Sequence, residues 1–237
     1  MHNFYALHPH PHPHPDNGGL PAAGVTCGQD GDGTFTISSF NAARNRGENA
    51  VDLMTAQCTG LNYTTGETPP PVGFTFRHEL AWVEFEIKAA QAVTIDFIRL
   101  RGIVYQGDIS LTPGITSYEA SWSNPVRSDA DTGEPFVEDT VNIPQDKTSQ
   151  SIFLLGGNLL LPPQDLTDQQ VFTMKWTYTG MEGETRTVNV KMPLAGVSSW
   201  EKGKHYVYSA VIPPTPVDIT FSVSVKKWKK TTVSADL

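Results

Sequence analysis

The sequence predicts an all-β protein of antiparallel β-sandwich architecture, and three observations carry that expectation. Ile219, Phe221, Val223 and Val225 alternate with Thr220, Ser222, Ser224 and Lys226. This is the period of a strand with one buried and one wet face. The 237 residues include 18 Pro and 20 Gly, enough punctuation to cut the chain into short strands. No long stretch shows helical periodicity; residues 41–56 come nearest. The length gives room for one large or two ordinary domains, with ample core.

In chain order, residues 1–33 read as loop. The tract His8 to Pro15 alternates His and Pro. Alternate prolines hold such a segment extended, so its rings do not converge readily on one ion, and an exposed Pro-rich loop is the ordinary reading. Gln29-Asp-Gly-Asp-Gly-Thr lacks the closing glutamate of a calcium loop and reads as a hairpin turn. Residues 34–40 alternate as a short strand. From Phe74 to Lys88 the buried parity changes: Phe74, Phe76 and Leu80 take one phase, Val83, Phe85 and Ile87 the other. A phase change inside one run requires a bulge, bend or turn, here around 79–82, with His78 at the kink. The same strand–bend–strand pattern recurs through 93–95 and 98–100, and 103–111 supply a further strand pair.

Alternation stops at Thr112-Pro113-Gly114, which sets the expected domain boundary: residues 1–112 before it and 113–237 after it. The polar span 121–139 reads as surface loops between short strands, and 152–161 as a buried strand stopped by Pro162-Pro163. Phe172, Met174, Trp176 and Tyr178 alternate, and Val188, Val190 and Met192 answer them across the turn at 181–183, a hairpin. The last hairpin joins 205–212 to 219–228 through Pro213-Pro214-Thr215-Pro216. It gathers Trp200, Tyr206, Tyr208, Phe221 and Trp228.

Composition excludes several function classes. The net charge of −8 argues against nucleic acid, whose phosphates demand a basic surface. Lys226, Lys227, Lys229 and Lys230 are the single basic run, and lysines there guard a strand edge against stray pairing. No stretch approaches the roughly 18 apolar residues of a membrane span. Nor does the start of the chain show the basic and apolar regions of a secretory signal. There is no GxSxG elbow, HExxH, P-loop or dinucleotide fingerprint, so no enzyme, cofactor or metal is expected. Glu84 and Glu86 share a strand face expected to be solvated. Cys27 and Cys58 fit one disulfide or two free thiols equally well. Of the tryptophans, Trp82, Trp176 and Trp228 belong in core or at strand ends. Trp122, in the loop-rich span, is the candidate for stacking on a sugar.

Two groups of residues also carry a resemblance. Phe4-Tyr5-Ala6 is followed by Asp52-Leu53-Met54-Thr55-Ala56, then by Val72-Gly-Phe74-Thr-Phe76-Arg-His78-Glu-Leu80-Ala81. Near the other end come Trp200, Gly203, Tyr206 and Tyr208, an alternating strand through Phe221, and Trp228. In order and spacing these resemble the fimbrillin family, pilus and surface-adhesion subunits of Gram-negative gut and oral bacteria. The resemblance implies two tandem transthyretin-like sandwiches. It gives Asp52, Leu53, Ala56, Phe74, Phe76, His78, Leu80, Ala81, Trp200, Gly203, Tyr206, Tyr208, Phe221 and Trp228 a structural role. It implies a non-enzymatic subunit outside the cell that joins other fimbrial subunits by β-strand addition. Binding of host or bacterial surface glycans or proteins is the alternative on the same scaffold. It also implies an export signal of lipoprotein type and further strands upstream of Phe4, so the chain is expected to begin inside its first domain. Shaft subunits of the family carry a C-terminal donor extension. Only nine residues follow Trp228, a departure that leaves a tip, accessory or anchor role at least as good a reading as a shaft role.

Overall fold

A computed structural model describes residues 2–8, 25–27, 32–43, 47, 50, 52–62, 71–181, 183–228 and 231–235; of 25–27 and 231–235 it describes the backbone alone. The first strands are β1 (His2–His8), β2 (Val25–Cys27), β3 (Phe35–Asn41), β4 (Met54–Leu61), β5 (Val72–His78) and β6 (Ala81–Ala89). There follow β7 (Val93–Arg101), β8 (Val104–Pro113), β9 (Tyr118–Arg127), β10 (Val137–Ile143), β11 (Ile152–Phe153), β12 (Leu159–Leu161) and β13 (Gln164–Asp165). The chain closes with β14 (Val171–Tyr178), β15 (Thr185–Lys191), β16 (Ser199–Trp200), β17 (Lys204–Ile212), β18 (Ser222–Lys227) and β19 (Thr231–Ala235). Among the described residues the single helical turn is a 3₁₀ turn at Gln145–Lys147. The all-β expectation holds.

Four larger sheets carry the fold, in the orders β1-β4-β5-β19, β2-β3-β8-β9, β10-β7-β14-β15 and β11-β6-β17-β18. The last two face each other: Phe85 of β6 stacks on Phe172 of β14 with ring centroids 4.5 Å apart, and Phe172 meets Phe221 edge-on. The first two meet where Tyr5 of β1 stands edge-on to Tyr118 of β9, whose ring also packs on Phe35 of its own sheet. Interdigitating inner faces of this kind define a sandwich. Val83, Phe85, Ile87, Ile98, Leu100, Met174, Trp176, Tyr206 and Tyr208 are all buried in one continuous core.

The pairing runs across the boundary expected at 112/113. β6 and β7 precede it, yet β6 pairs with β11, β12 and β17, and β7 with β10 and β14. Thr112-Pro113-Gly114 lies within the β8–β9 hairpin, where Pro113 is opposite Tyr118. A turn tripeptide reverses the chain inside a sheet as readily as it ends a domain.

Several local expectations also change. Part of the segment read as loop at 1–33 forms β1, paired antiparallel with β4. The segment 152–161 is two short strands, β11 and β12, separated by a turn in which Gly156 and Gly157 take positive φ. The 103–111 stretch is one strand, β8, and 121–127 continue β9. The bend foreseen near Asp96 is a bulge: Ile95 is opposite Trp176 and Phe97 opposite Lys175, leaving Asp96 extra in that ladder. The hairpins β14–β15 and β17–β18 form as read. The His-Pro tract beyond His8, residues 29–31 and the side chain of Cys27 lie outside the described residues; Cys58 is a free, half-buried thiol.

Candidate functional site

The phase change at 79–82 is where the distant signature residues converge. β5 ends at His78, Glu79 and Leu80 leave the ladder, and β6 begins at Ala81. Leaving the ladder frees backbone groups that other segments must satisfy. Glu79 N–H donates to Leu53 O at 2.8 Å, Gly203 N–H to Leu80 O at 2.9 Å, and Trp228 N–H to Gly203 O at 2.9 Å. Four segments, at Leu53, Glu79–Leu80, Gly203 and Trp228, are thus tied by backbone bonds. Gly203 holds φ at +70°, the left-handed region that favours glycine. That turn swings Trp200 inward and starts β17.

Side chains complete the junction. His78 is buried, its Nδ1 hydrogen-bonded to the Asp52 carboxylate. The indole of Trp228 stacks on the His78 ring, and Trp82 packs tilted against Trp228 with centroids 5.3 Å apart. On its other side Trp82 stacks on His205 at 3.7 Å, and His205 Nε2 donates to Glu84 Oε2 at 2.7 Å. The result is a four-ring ladder, His78–Trp228–Trp82–His205, closed at each end by a carboxylate. It joins the starts of β4, β6 and β17 to the ends of β5 and β18.

Electrostatics follow burial. Desolvation raises the Asp52 pKa above its ordinary value, against the opposing pull of the His78 hydrogen bond and charge. Glu79 is fully buried; it accepts from Thr55 Oγ1 at 2.6 Å and from Lys202 Nζ at 2.8 Å. Lys202 also donates to Tyr118 O at 2.8 Å, tying this junction to β9. Below it, Trp200 Nε1 donates to the Tyr208 hydroxyl at 3.0 Å, which donates in turn to Met192 O. Burial pushes the Tyr208 phenol up to about 12. Tyr206 accepts from Glu201 N–H at 2.9 Å, and burial raises its pKa as well.

Of the signature residues, Asp52, His78, Leu80, Gly203 and Trp228 are thus in direct contact or one link apart. Leu53, Ala56, Ala81, Trp200, Tyr206, Tyr208 and Phe221 are buried around them, and Phe74 and Phe76 are half-buried on β5. Sequence reasoning missed Trp82, Glu84 and His205 as a group. Glu84 was expected on a solvated face but is buried, because the parallel neighbour β17 lays His205 over it. Trp122 is half-buried on β9 with its ring edge-on to Phe40, not on a loop free to stack on a sugar.

Just beyond Trp228, β19 folds back on β5, with Thr231 opposite Phe76 and Ala235 opposite Val72. The junction therefore holds the root of a five-residue strand that occupies an edge of the first sheet.

No curated protein matches the sequence. Among solved structures, the chain is similar to a fimbrial protein from Bacteroides vulgatus, with a TM-score of 0.54 and 15% identity over 95% of this chain and 77% of that one. It is also similar to a protein proposed to act in cell adhesion from Bacteroides ovatus, with a TM-score of 0.50 and 16% identity over 96% and 68%. At such identities the likeness speaks for the fold. The model of the family described as fimbrillin-like matches residues 1–228, and the chain belongs to that family.

Proposed function

We propose that the protein is a non-enzymatic cell-surface subunit that assembles with other fimbrial subunits by β-strand addition and serves adhesion. The observation that carries this reading, beyond family membership, is β19 on β5: five backbone register pairs hold a terminal strand on a sheet edge. Such a strand can be given up or replaced, with main-chain hydrogen bonds supplying affinity and alternate side chains the register. A tip, accessory or anchor position suits a chain whose strand is already folded back on itself. The two pairs of facing sheets are taken as the two sandwich units of the family, built from interleaved segments in place of 1–112 and 113–237. A lipoprotein-type anchor would place the assembly at the outer membrane. Among the described residues no helix is long and apolar enough to cross a membrane.

The test is strand replacement. A variant ending at Trp228 should bind a labelled peptide of residues 229–237 saturably, and the full chain should bind it only after β19 is displaced. A truncated protein that stays monomeric at every concentration and takes up no peptide would remove strand addition from the account.

A further inference from the structure

The first sheet opens between β4 and β5. The two strands pair only at Met54–His78 and Thr55–Arg77; beyond that β4 continues against β1 and β5 against β19. The opening forms a cleft of about 230 Å³, closed on the far side by the turn and first residue of β9 at 116–118. Strand alternation puts Thr55, Gln57, Thr75 and Arg77 on the face toward that turn. Gln57 Nε2 confirms the orientation by donating to Gly114 O at 2.7 Å.

An inner sandwich face is ordinarily apolar. This one is polar, and two of its groups lack partners. Arg77, a half-buried residue, makes no hydrogen bond or ion pair through its guanidinium among the described residues, and Gln57 Oε1 is buried without a donor. The nearby Glu79 charge is already matched by Lys202, leaving Arg77 as the cleft's unbalanced cation. A Cβ added at Gly73, which also lines the cleft, would meet no atom within 4 Å, so the space is open. A buried acceptor left without a donor beside an unpaired cation favours a ligand that supplies both a donor and a negative charge.

We propose that this cleft binds the carboxylate of an acidic saccharide, Arg77 taking the carboxylate and Gln57 Oε1 accepting from a neighbouring sugar hydroxyl. Guanidinium and carboxylate match as a two-bond fork. The hydroxyls of Thr75 and Ser117 both donate and accept, which suits a ring bearing hydroxyls. The volume is smaller than that of drug-sized pockets, which start at roughly 300 Å³, and fits one sugar ring. An acidic peptide side chain would satisfy Arg77 but bring no hydroxyls to Gln57 and its neighbours. The proposal rests on the adhesion half of the reading above, and strand addition can fail without touching it.

The test titrates the full chain with glucuronate, with glucose, acetate and N-acetylaspartate as comparisons, following backbone amides by NMR. Glucuronate should give saturable shifts confined to residues 55–57, 73–77 and 116–118, and glucose none. Arg77→Gln should weaken binding at least about tenfold, the effect of losing a charged hydrogen-bond partner. Gly73→Leu, which fills the cleft and leaves its charge alone, should abolish binding and serves if Arg77→Gln does not fold. The proposal is overturned if glucuronate gives no saturable shifts or if both variants bind normally. It is equally overturned if glucose or N-acetylaspartate binds as tightly as glucuronate.

Discussion

Trp228 lies flat on His78, with ring centroids 3.9 Å apart and planes inclined by 5°. Trp228 directly follows β18 and His78 ends β5, so the contact ties the end of the β17–β18 hairpin to the strand that β19 joins. Trp228→Ala should cost about 2 kcal/mol of stability, less than a fully buried tryptophan because the ring is half-exposed. It should also speed hydrogen exchange in β19 and β5 more than in β14. Trp228→Phe, which keeps a ring over His78, should recover much of the loss. Uniform exchange across all strands would show that the stack does not anchor β19.

Asp52 makes the same junction sensitive to pH. Burial is the largest influence on its carboxyl and raises the pKa above the ordinary 3.8. The native state therefore binds this proton more tightly than the unfolded chain. The Asp52 contribution is most favourable below the unfolded value and is lost as pH rises through the raised folded pKa. Urea denaturation of wild type and Asp52→Asn should show wild type losing ground to the variant as pH climbs from about 4. A gap that moves the other way would mean that the His78 charge outweighs desolvation.

At the opposite end of the pH scale the same reasoning applies to Tyr208, held at about 12 against an ordinary 10.0 by burial. The folded protein keeps this proton while the unfolded chain releases it, so stability falls as pH rises from 10 towards 12. Absorbance titration should show Tyr208 ionising late or together with unfolding. Tyr208→Phe removes that component and orphans the buried Trp200 Nε1–H, at a cost of about 2 kcal/mol. Unchanged stability in that variant would mean that Trp200 finds another acceptor.

What the sequence made legible is local. The β14–β15 and β17–β18 hairpins announce themselves because period two and turn residues lie within one short window. The break at Glu79–Leu80 shows as a change of parity for the same reason. The parallel pairing of β6 with β17 has no such signature, since His205 and Trp82 are opposite each other across more than half the chain. Without that pairing Glu84 reads as solvent-facing. The second half of β9 falls in the span that reads as loops between short strands, because an edge strand tolerates Ser, Asn and Pro: residues 123–127 are exposed, and Asn124 takes φ of +51°. The signature residues were visible as a resemblance, but their convergence depends on the backbone relay through Leu80, Gly203 and Trp228.

The ion pair between buried Glu79 and exposed Lys202 yields the most demanding test of that convergence. Glu79 is inaccessible, whereas Lys202 is partly exposed and reaches both the carboxylate and Tyr118 O. Removing the cation leaves a charge stranded in the interior, and Lys202→Met should cost about 3 kcal/mol. Glu79→Gln together with Lys202→Met removes the stranded charge and can retain the bond from Thr55, so the double variant should be more stable than Lys202→Met alone. Thermal melts of the four proteins in the cycle measure the coupling. Additive losses would show that the two groups act independently and that Lys202 serves β9 rather than the kink between β5 and β6.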